Sequence, residues 1–447
     1  MGRVAIIGGG WAGMACAVEA VRAGHAVSVF EAARNWGGRA RAVAATLPDG
    51  SEVLLDNGQH ILIGAYTASL EVMARVGVDP RQALQRVPLN LRFPDGTGLS
   101  LPQLPSWLDR ATRRIAPLDV LTGVLGARGW SWQDKLSLLK TSTLWQRQGF
   151  VCAGHETVSD LCAPLTPRVR AELTEPLCVS ALNTPAAEAS GQVFLRVLDE
   201  ALFRTPGGSQ LLLPRVDLGA LFPDAADRWL RERGARTELG RRVRTVEPDG
   251  HGWRVDGELF DRVVLACSPW EAARIAVGIA PTWSATADGL AHEAITTVYL
   301  HGDAGLPAPF LALRCKPEAP AQFAFDRGRL GGPRGLLAFV ISASGDDREL
   351  LQRQVTLQAR EQLGLDGLRP VLTVMERRAT FACTPGLVRP PMQLAPQLLA
   401  CGDYIEGAYP GTIEGAVRSA IAAAAAPWNT PGRQARPEGL PAPVQSA

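Results

Sequence analysis

Six residues near the N-terminus, Gly8-Gly9-Gly10-Trp11-Ala12-Gly13, restrict the fold more than any other part of the chain. They fit the spacing G-x-G-x-x-G, and their flanks give that spacing its meaning. Val4-Ala5-Ile6-Ile7 is a short apolar run of strand character, a helical stretch from about Trp11 to Ala23 stops at Gly24, and Ala26-Val27-Ser28-Val29-Phe30 reads as a second strand. Together they make a βαβ unit. In such a unit Gly8 permits the tight turn, Gly10 lets backbone approach a diphosphate, and Gly13 lets helix and strand pack closely. Free N–H groups at Trp11, Ala12 and Gly13 then face the anion. Glu31 lies eighteen residues beyond Gly13, at the end of the second strand, where a carboxylate accepts hydrogen bonds from ribose hydroxyls. The simpler alternative, a glycine-rich turn with no ligand, does not explain why strand, helix, strand and acid occur together.

The choice of dinucleotide rests on two further segments. Gly37-Gly38-Arg39-Ala40-Arg41 follows Glu31 closely, and a second glycine pair with an arginine suits a chain that folds back under the same diphosphate and adds a cation. A simple NAD domain rarely needs this. Near the other end, Gln397 to Gly402-Asp403 reads as a strand ending in Gly-Asp, and Thr412-Ile413 opens a helix that runs to about Ala425. Its positive end suits the N1/C2 edge of a reduced, anionic flavin. FAD is therefore the predicted cofactor.

At 447 residues the chain suits two interleaved domains. The predicted class is α/β, with a Rossmann-like FAD-binding domain from 1–89, 206–269 and 391–426, and an inserted α+β substrate domain from 90–205 and 270–390. In the middle piece Leu218 to Arg233 reads as a helix, about Ala235 to Val246 and Trp253 to Val255 as strands, and Arg262 to Ala266 as a buried strand. Residues 427–447, rich in proline, read as a disordered tail. A formal charge of +2 argues against a nucleic-acid partner. Eight scattered cysteines with no C-x-x-C pair argue against a metal site and read as reduced, mostly buried thiols, which favours a cytoplasmic protein. No stretch reaches the length of a spanning helix, so any membrane contact is expected to be peripheral, on the inner face of the cell membrane.

The set Gly8 to Gly13, Glu31, Gly37-Gly38-Arg39, Gly402-Asp403 and Glu414-Gly415-Ala416 resembles the flavoprotein superfamily of amine oxidases, protoporphyrinogen oxidases and phytoene desaturases, nearly end to end. The resemblance implies a GR2-type FAD-binding domain in which Val243, in the middle strand, touches the adenine with its backbone. It also implies that Asp403 binds a phosphate or ribitol oxygen. Within the superfamily, Leu55-Asp56-Asn57-Gly58-Gln59-His60-Ile61-Leu62-Ile63-Gly64-Ala65-Tyr66 resembles the signature of the squalene-associated group, the hydroxysqualene dehydroxylases of bacterial squalene and hopanoid synthesis. Ala181-Leu182-Asn183-Thr184-Pro185, Phe194 and the stretch from Pro214 to Leu221 are similar to further parts of that group. The implied reaction is reductive: the allylic hydroxyl of hydroxysqualene is replaced by hydrogen, with the hydride coming from reduced FAD.

That chemistry needs an acid for the leaving oxygen and a dry apolar tunnel. His60 is the first candidate acid, beside the Asp56-Asn57-Gly58 turn that by resemblance lies under the flavin ring; the alternative is a histidine that shapes the pocket. Gln59 shares the position, and Tyr409 either faces the flavin or supports the helix entrance. Trp107, Trp130, Trp132, Trp145 and Phe150 would suit a long isoprenoid, or belong to the core or a membrane-facing surface. His25, His155, His251, His292 and His301 show no partner pattern and read as structural or exposed. The electron donor is left open by the sequence. Two other readings compete: a desaturase or oxidase of a carotenoid precursor or porphyrinogen, and a flavin-free protein binding prenylated GTPases, which the intact Gly37-Gly38-Arg39 and Gly402-Asp403 disfavour.

Overall fold

The computed structural model describes residues 2–104, 107, 118–250 and 252–427, so His251 and the predicted tail beyond Pro427 lie outside the described residues. Arg3–Ile7 and Ala26–Phe30 pair in parallel, with the helix Trp11–Arg22 between them in sequence. The last four residues of each strand are buried, as expected of parallel strands covered on both faces. Arg236–Glu238 adds to the outer side of Ala26–Phe30, Arg262–Leu265 to the far side of Arg3–Ile7, and Leu398–Ala400 beyond that. Antiparallel Gln393–Ala395 closes the edge. Because the first five strands are parallel, their carboxyl ends lie along one border of the sheet. Gly8, Glu31 and Cys401-Gly402-Asp403 all follow such ends, which is where ligands bind in open α/β sheets. The last helix, Ile413–Ala425, packs against the first, and Met14, Val18, Val417 and Ala420 belong to one buried cluster there.

Two predicted elements differ in the structure. The helix over Leu218 to Arg233 is two helices, Leu218–Leu221 and Pro223–Arg231. Pro223 lacks the N–H that a continuing helix would need, and it disfavours helical geometry at Phe222, whose φ is −154°. The strand from Ala235 to Val246 stops at Glu238 and resumes at Val246. Between them the amides of Gly240 and Arg241 donate to the carbonyls of Ala33 and Glu31, and the Asp256 carboxylate accepts from the amides of Arg244 and Thr245. These bonds hold residues 239–245 out of any sheet. Val243 therefore sits in an irregular segment, not in a strand.

A second, antiparallel sheet runs in the order Phe310–Ala312, Phe323–Asp326, Leu336–Ser342, His292–His301, Arg369–Phe381. The period of two divides the strand His292–His301: Val298 and Leu300 join the cluster with Val355 and Ala359 of the helix Arg348–Leu363, while Tyr299 turns the other way, towards Asp56. Residues 118–204 are mainly helical, including Leu118–Leu125, Trp132–Arg147, Glu175–Leu182 and Gly191–Leu198, with π-helical turns at Arg170–Thr174 and Asp199–Arg204. π-helical turns recur at functional sites. Among the described residues, no helix is long and apolar enough to cross a membrane.

Candidate functional site

The glycine turn leaves the first helix unusually open at its N-terminus. Gly10 is its N-cap in extended conformation, no side chain caps it, and its first turn holds no acid. Trp11, Ala12 and Gly13 are nevertheless buried. A buried helix end whose first amides have no side-chain partner is prepared for an anion, so the site fits the diphosphate of a dinucleotide. Gly13 is glycine because a methyl group there would collide with the Gly8 carbonyl oxygen. Glu31 grips the same turn: its carboxylate accepts from the Gly9 amide at 2.6 Å and the Ala33 amide at 2.7 Å, and each oxygen keeps capacity for another donor.

The second glycine pair lies against the first. Gly37 forms a parallel bridge with Gly10 and donates to the Gly9 carbonyl at 2.9 Å. Arg39, next along, donates to the Ala379 carbonyl at 2.7 Å and pairs with Asp403. Burial pulls the Arg39 pKa down, but the Asp403 carboxylate outweighs it, so the net shift is upward and the cation is secure. Asn57 joins this loop to the next one, accepting from the Arg41 amide at 3.0 Å and donating to the Arg39 carbonyl at 2.9 Å.

The Asp56–His60 turn is held from three sides. The Asp56 carboxylate accepts from the Leu218 amide at 2.8 Å, and the Tyr299 hydroxyl donates to the Asp56 carbonyl at 2.8 Å. Its other carboxylate oxygen is buried without a partner. Burial, with some help from Asp217, pushes the Asp56 carboxyl up to about 6, although Arg327 and the Leu218 amide oppose it. Arg327, itself buried, donates to Gln59 Oε1 at 3.2 Å and to the Pro214 carbonyl at 3.3 Å. The His60 ring lies 2.7 Å from the Gly58 carbonyl through Nδ1. A carbonyl only accepts, so Nδ1 carries the hydrogen and the neutral ring presents Nε2 as a lone pair. Burial lowers the His60 pKa, the Gly58 contact partly opposes this, and Arg39 lowers it further.

The C-terminal part of the site is a turn into a helix. Tyr409 has φ of 58°, and its carbonyl accepts from the Thr412 hydroxyl, which in turn accepts from the Gly415 amide as N-cap. Gly415 is required here, since a side chain would run into the Tyr409 carbonyl. The Tyr409 ring meets Tyr66 edge to face at 6.1 Å, Arg418 lies over it at 4.8 Å, and its hydroxyl donates to Glu200 at 3.3 Å. Burial, with Glu200 adding, pushes Tyr409 up to about 12. The Gly411 amide donates to the Asp403 carbonyl at 3.2 Å, which ties this turn to the Arg39 pair. Glu414 is fully buried and accepts from the Ala68 and Ser69 amides, the Ser69 hydroxyl and Arg418, so it joins the last helix to the helix Thr67–Arg75.

The structure thus gathers Gly8, Gly10, Trp11, Ala12, Gly13, Glu31, Gly37, Gly38, Arg39, Gly402 and Asp403 along one border of the sheet. Gly58, Gln59 and His60 join them through Asn57, and Thr412 and Ile413 through Gly411. Tyr409 is engaged with Glu200 and Tyr66 rather than with His60. Val243 is buried in its loop, with its carbonyl accepting from Arg274 at 2.8 Å. Arg327, Tyr299 and His292 were not among the sequence candidates. His292 lies against Trp270 at 5.3 Å between ring centres, close enough to Arg39 and Arg378 for both to lower its pKa after burial has done so. For Arg327 a signal existed, an arginine following a buried Phe-Asp strand, but it is a weak one.

A parallel sheet with an uncapped, buried helix end at its carboxyl border, clasped by a second glycine pair and an arginine, defines a dinucleotide-binding oxidoreductase of the flavoprotein type. A family profile described as "Flavin containing amine oxidoreductase" matches residues 11–426, and the chain belongs to that family. It is a flavin-dependent oxidoreductase. A hydroxysqualene dehydroxylase from Rhodopseudomonas palustris is 29% identical to it, covering 94% of this chain and 97% of the relative. Another of the same name, from Sinorhizobium fredii, is 27% identical with the same coverage. Among solved structures, cyclohexylamine oxidase from Brevibacterium oxydans superposes with a TM-score of 0.63 at 18% identity, covering 95% of this chain and 98% of that one, which shows the shared fold.

Proposed function

We propose that this chain is an FAD-dependent hydroxysqualene dehydroxylase, converting hydroxysqualene to squalene in bacterial squalene and hopanoid synthesis. The observation that carries this reading is the likeness to curated proteins of that name over 94% of the chain. FAD, rather than a flavin without adenosine, is supported by the open helix end at Trp11–Gly13, which suits a diphosphate, and by Glu31, which suits a ribose. Gly8, Gly10, Trp11, Ala12, Gly13, Gly37, Gly38 and Arg39 would hold the diphosphate and Glu31 the ribose. Val243 would lie at the adenine, Gly402 and Asp403 at a phosphate or ribitol oxygen, and Gly58, Gln59, Thr412 and Ile413 at the ring. The division of the chain into FAD-binding pieces 1–89, 206–269 and 391–426 and substrate pieces 90–205 and 270–390 forms part of the same proposal.

Reduced FAD, when bound, supplies the hydride. The chain's part is to ionise the substrate: the allylic C–O bond breaks, the oxygen takes a proton and leaves as water, and the carbon receives the hydride with its electron pair. His60 is the proposed proton donor, acting as the imidazolium because its Nδ1 hydrogen is committed to Gly58. Gln59, oriented by Arg327, steadies that turn. Tyr409 supports the entrance of the last helix, where its carbonyl accepts from the Thr412 hydroxyl.

The test is anaerobic incubation of flavin-loaded protein, chemically reduced, with hydroxysqualene, followed by product analysis. Squalene is the expected product. A more unsaturated polyene, formed only with oxidised flavin, would overturn the proposal in favour of a desaturase.

A further inference from the structure

Seven of the fourteen large apolar side chains exposed among the described residues fall between positions 107 and 151: Trp107, Leu121, Leu125, Trp132, Leu136, Leu144 and Val151. Single exposed apolar residues are ordinary; a concentration in one tenth of the chain marks an interaction surface. The helix Trp132–Arg147 shows how it is built. Asp134, Leu138, Thr141 and Trp145 form its buried face. The opposite stripe, at intervals of four and then three, is Trp132, Leu136, Lys140, Leu144 and Arg147, with Trp132 69% and Leu136 48% exposed. This helix is apolar on both sides, and its outward side is interleaved with cations. Lys135 donates to the Leu125 carbonyl at 2.7 Å, which fastens the helix Leu118–Leu125 alongside and brings Leu121 and Leu125 into the same region.

The charge on this region is of one sign. Residues 118–151 contain only two acids, Asp119 and Asp134, and both are buried. Arg128, Lys140 and Arg147 are exposed and Lys135 half-buried. Two of the three lysines in the chain lie on this one helix, in a protein whose formal charge is only +2. A protein partner with an acidic surface would match the cations but not the protruding tryptophan and leucines. An anionic bilayer matches both, with apolar groups entering the acyl boundary and cations meeting headgroups.

We propose that the helices Leu118–Leu125 and Trp132–Arg147, with Val151, form a docking face for an anionic lipid bilayer. The inner side of this face leads towards the candidate site: Phe150 packs on Phe203 at 4.9 Å, in the π-helical turn whose Glu200 accepts from Tyr409. The use of the face to admit substrate rests on the isoprenoid reading above, whereas the docking itself does not.

The experiment is co-sedimentation of the full chain, without substrate, with phosphatidylcholine vesicles and with vesicles that also contain phosphatidylglycerol. The chain should bind the anionic vesicles and release as salt rises. Trp132→Glu/Leu136→Glu should weaken binding at least about tenfold, and Lys140→Glu/Arg147→Glu should abolish the preference for anionic lipid. All four positions are exposed, and unchanged circular dichroism and thermal unfolding check that the variants fold. Absence of wild-type binding to either vesicle, or equal binding by the Trp132→Glu/Leu136→Glu variant, overturns the proposal. So does a wild-type dimer that this variant converts to a monomer without any vesicle binding, which would assign the face to a second copy. Turnover of detergent-dispersed hydroxysqualene tests the enzymatic reading separately, since it needs no bilayer.

Discussion

Arg39 and Asp403, 364 residues apart in the sequence, form an ion pair at the border where the strands of the central sheet end. The pair closes the N-terminal glycine loops against the C-terminal turn, so a cofactor seated there would be held by both ends of the chain. Arg39→Ala should leave the fold intact and weaken FAD retention by roughly 10- to 100-fold, the equivalent of losing one charge-assisted contact of about 1.5–3 kcal/mol. The check is flavin absorbance after gel filtration, with titration of the stripped protein by FAD. Retention equal to the wild type would remove Arg39 from the cofactor site.

Glu414 is a buried carboxylate with four donors, and three of them belong to a different helix or its first turn from its own. Glu414→Ala should destabilise the protein by about 3–5 kcal/mol, because it strands two amides, a hydroxyl and a guanidinium together. Arg418→Ala should cost less, about 1 kcal/mol, since that side chain is 42% exposed and Glu414 keeps its three other donors. Denaturant unfolding of the two variants against the wild type would show the order. Equal losses would mean that the Arg418 contact, rather than the helix-capping bonds, carries the effect.

Asp56 links stability to pH in an unusual direction. Its carboxyl is raised from 3.8 to about 6 in the fold, so the folded protein holds this proton more tightly than the unfolded chain. Its contribution is fully present below about pH 4 and is lost as pH rises through about 6, amounting to something on the order of 3 kcal/mol. Asp56→Asn, which cannot ionise, should therefore gain stability relative to wild type between about pH 4 and pH 7. The measurement is the difference in unfolding midpoint across that range. A constant difference would show that burial of this carboxyl is relieved by water.

The parts of the site legible in the sequence are those that a diphosphate demands of a short piece of backbone. Gly13 meets the Gly8 carbonyl only five residues away, and Glu31 closes on Gly9 from the adjacent strand, so residue type and spacing carry the information. Tyr299 and His292 reach the site from the second sheet, where register decides which residues face inward, and Arg327 from the turn that follows the strand Phe323–Asp326. Nothing local distinguishes Tyr299 from Val298, yet one faces Asp56 and the other the helix Arg348–Leu363. Val243 falls within the stretch read as strand from Ala235 to Val246; the Gly240 amide donates to the Ala33 carbonyl and the Asp256 carboxylate accepts from two amides, and these bonds hold a loop there instead. The break at Phe222-Pro223 was visible in the sequence, since proline is favoured in the first turn of a new helix.

His60 provides the sharpest test of the proposed chemistry, because its hydrogen-bond geometry and its pKa make opposite demands. The contact from Nδ1 to Gly58 leaves Nε2 without a hydrogen in the neutral ring, so proton donation requires the imidazolium. Burial and Arg39 push that form below its ordinary range. If His60 donates the proton, turnover by the reduced enzyme should rise as pH falls, with an inflection below about 6.5, and approach a tenfold loss per unit on the alkaline side. His60→Ala should keep bound flavin and its absorbance spectrum while losing turnover and the inflection together. A histidine that only shapes the turn would disturb the flavin spectrum on substitution and leave the pH profile in place, which separates the two roles in a single set of measurements.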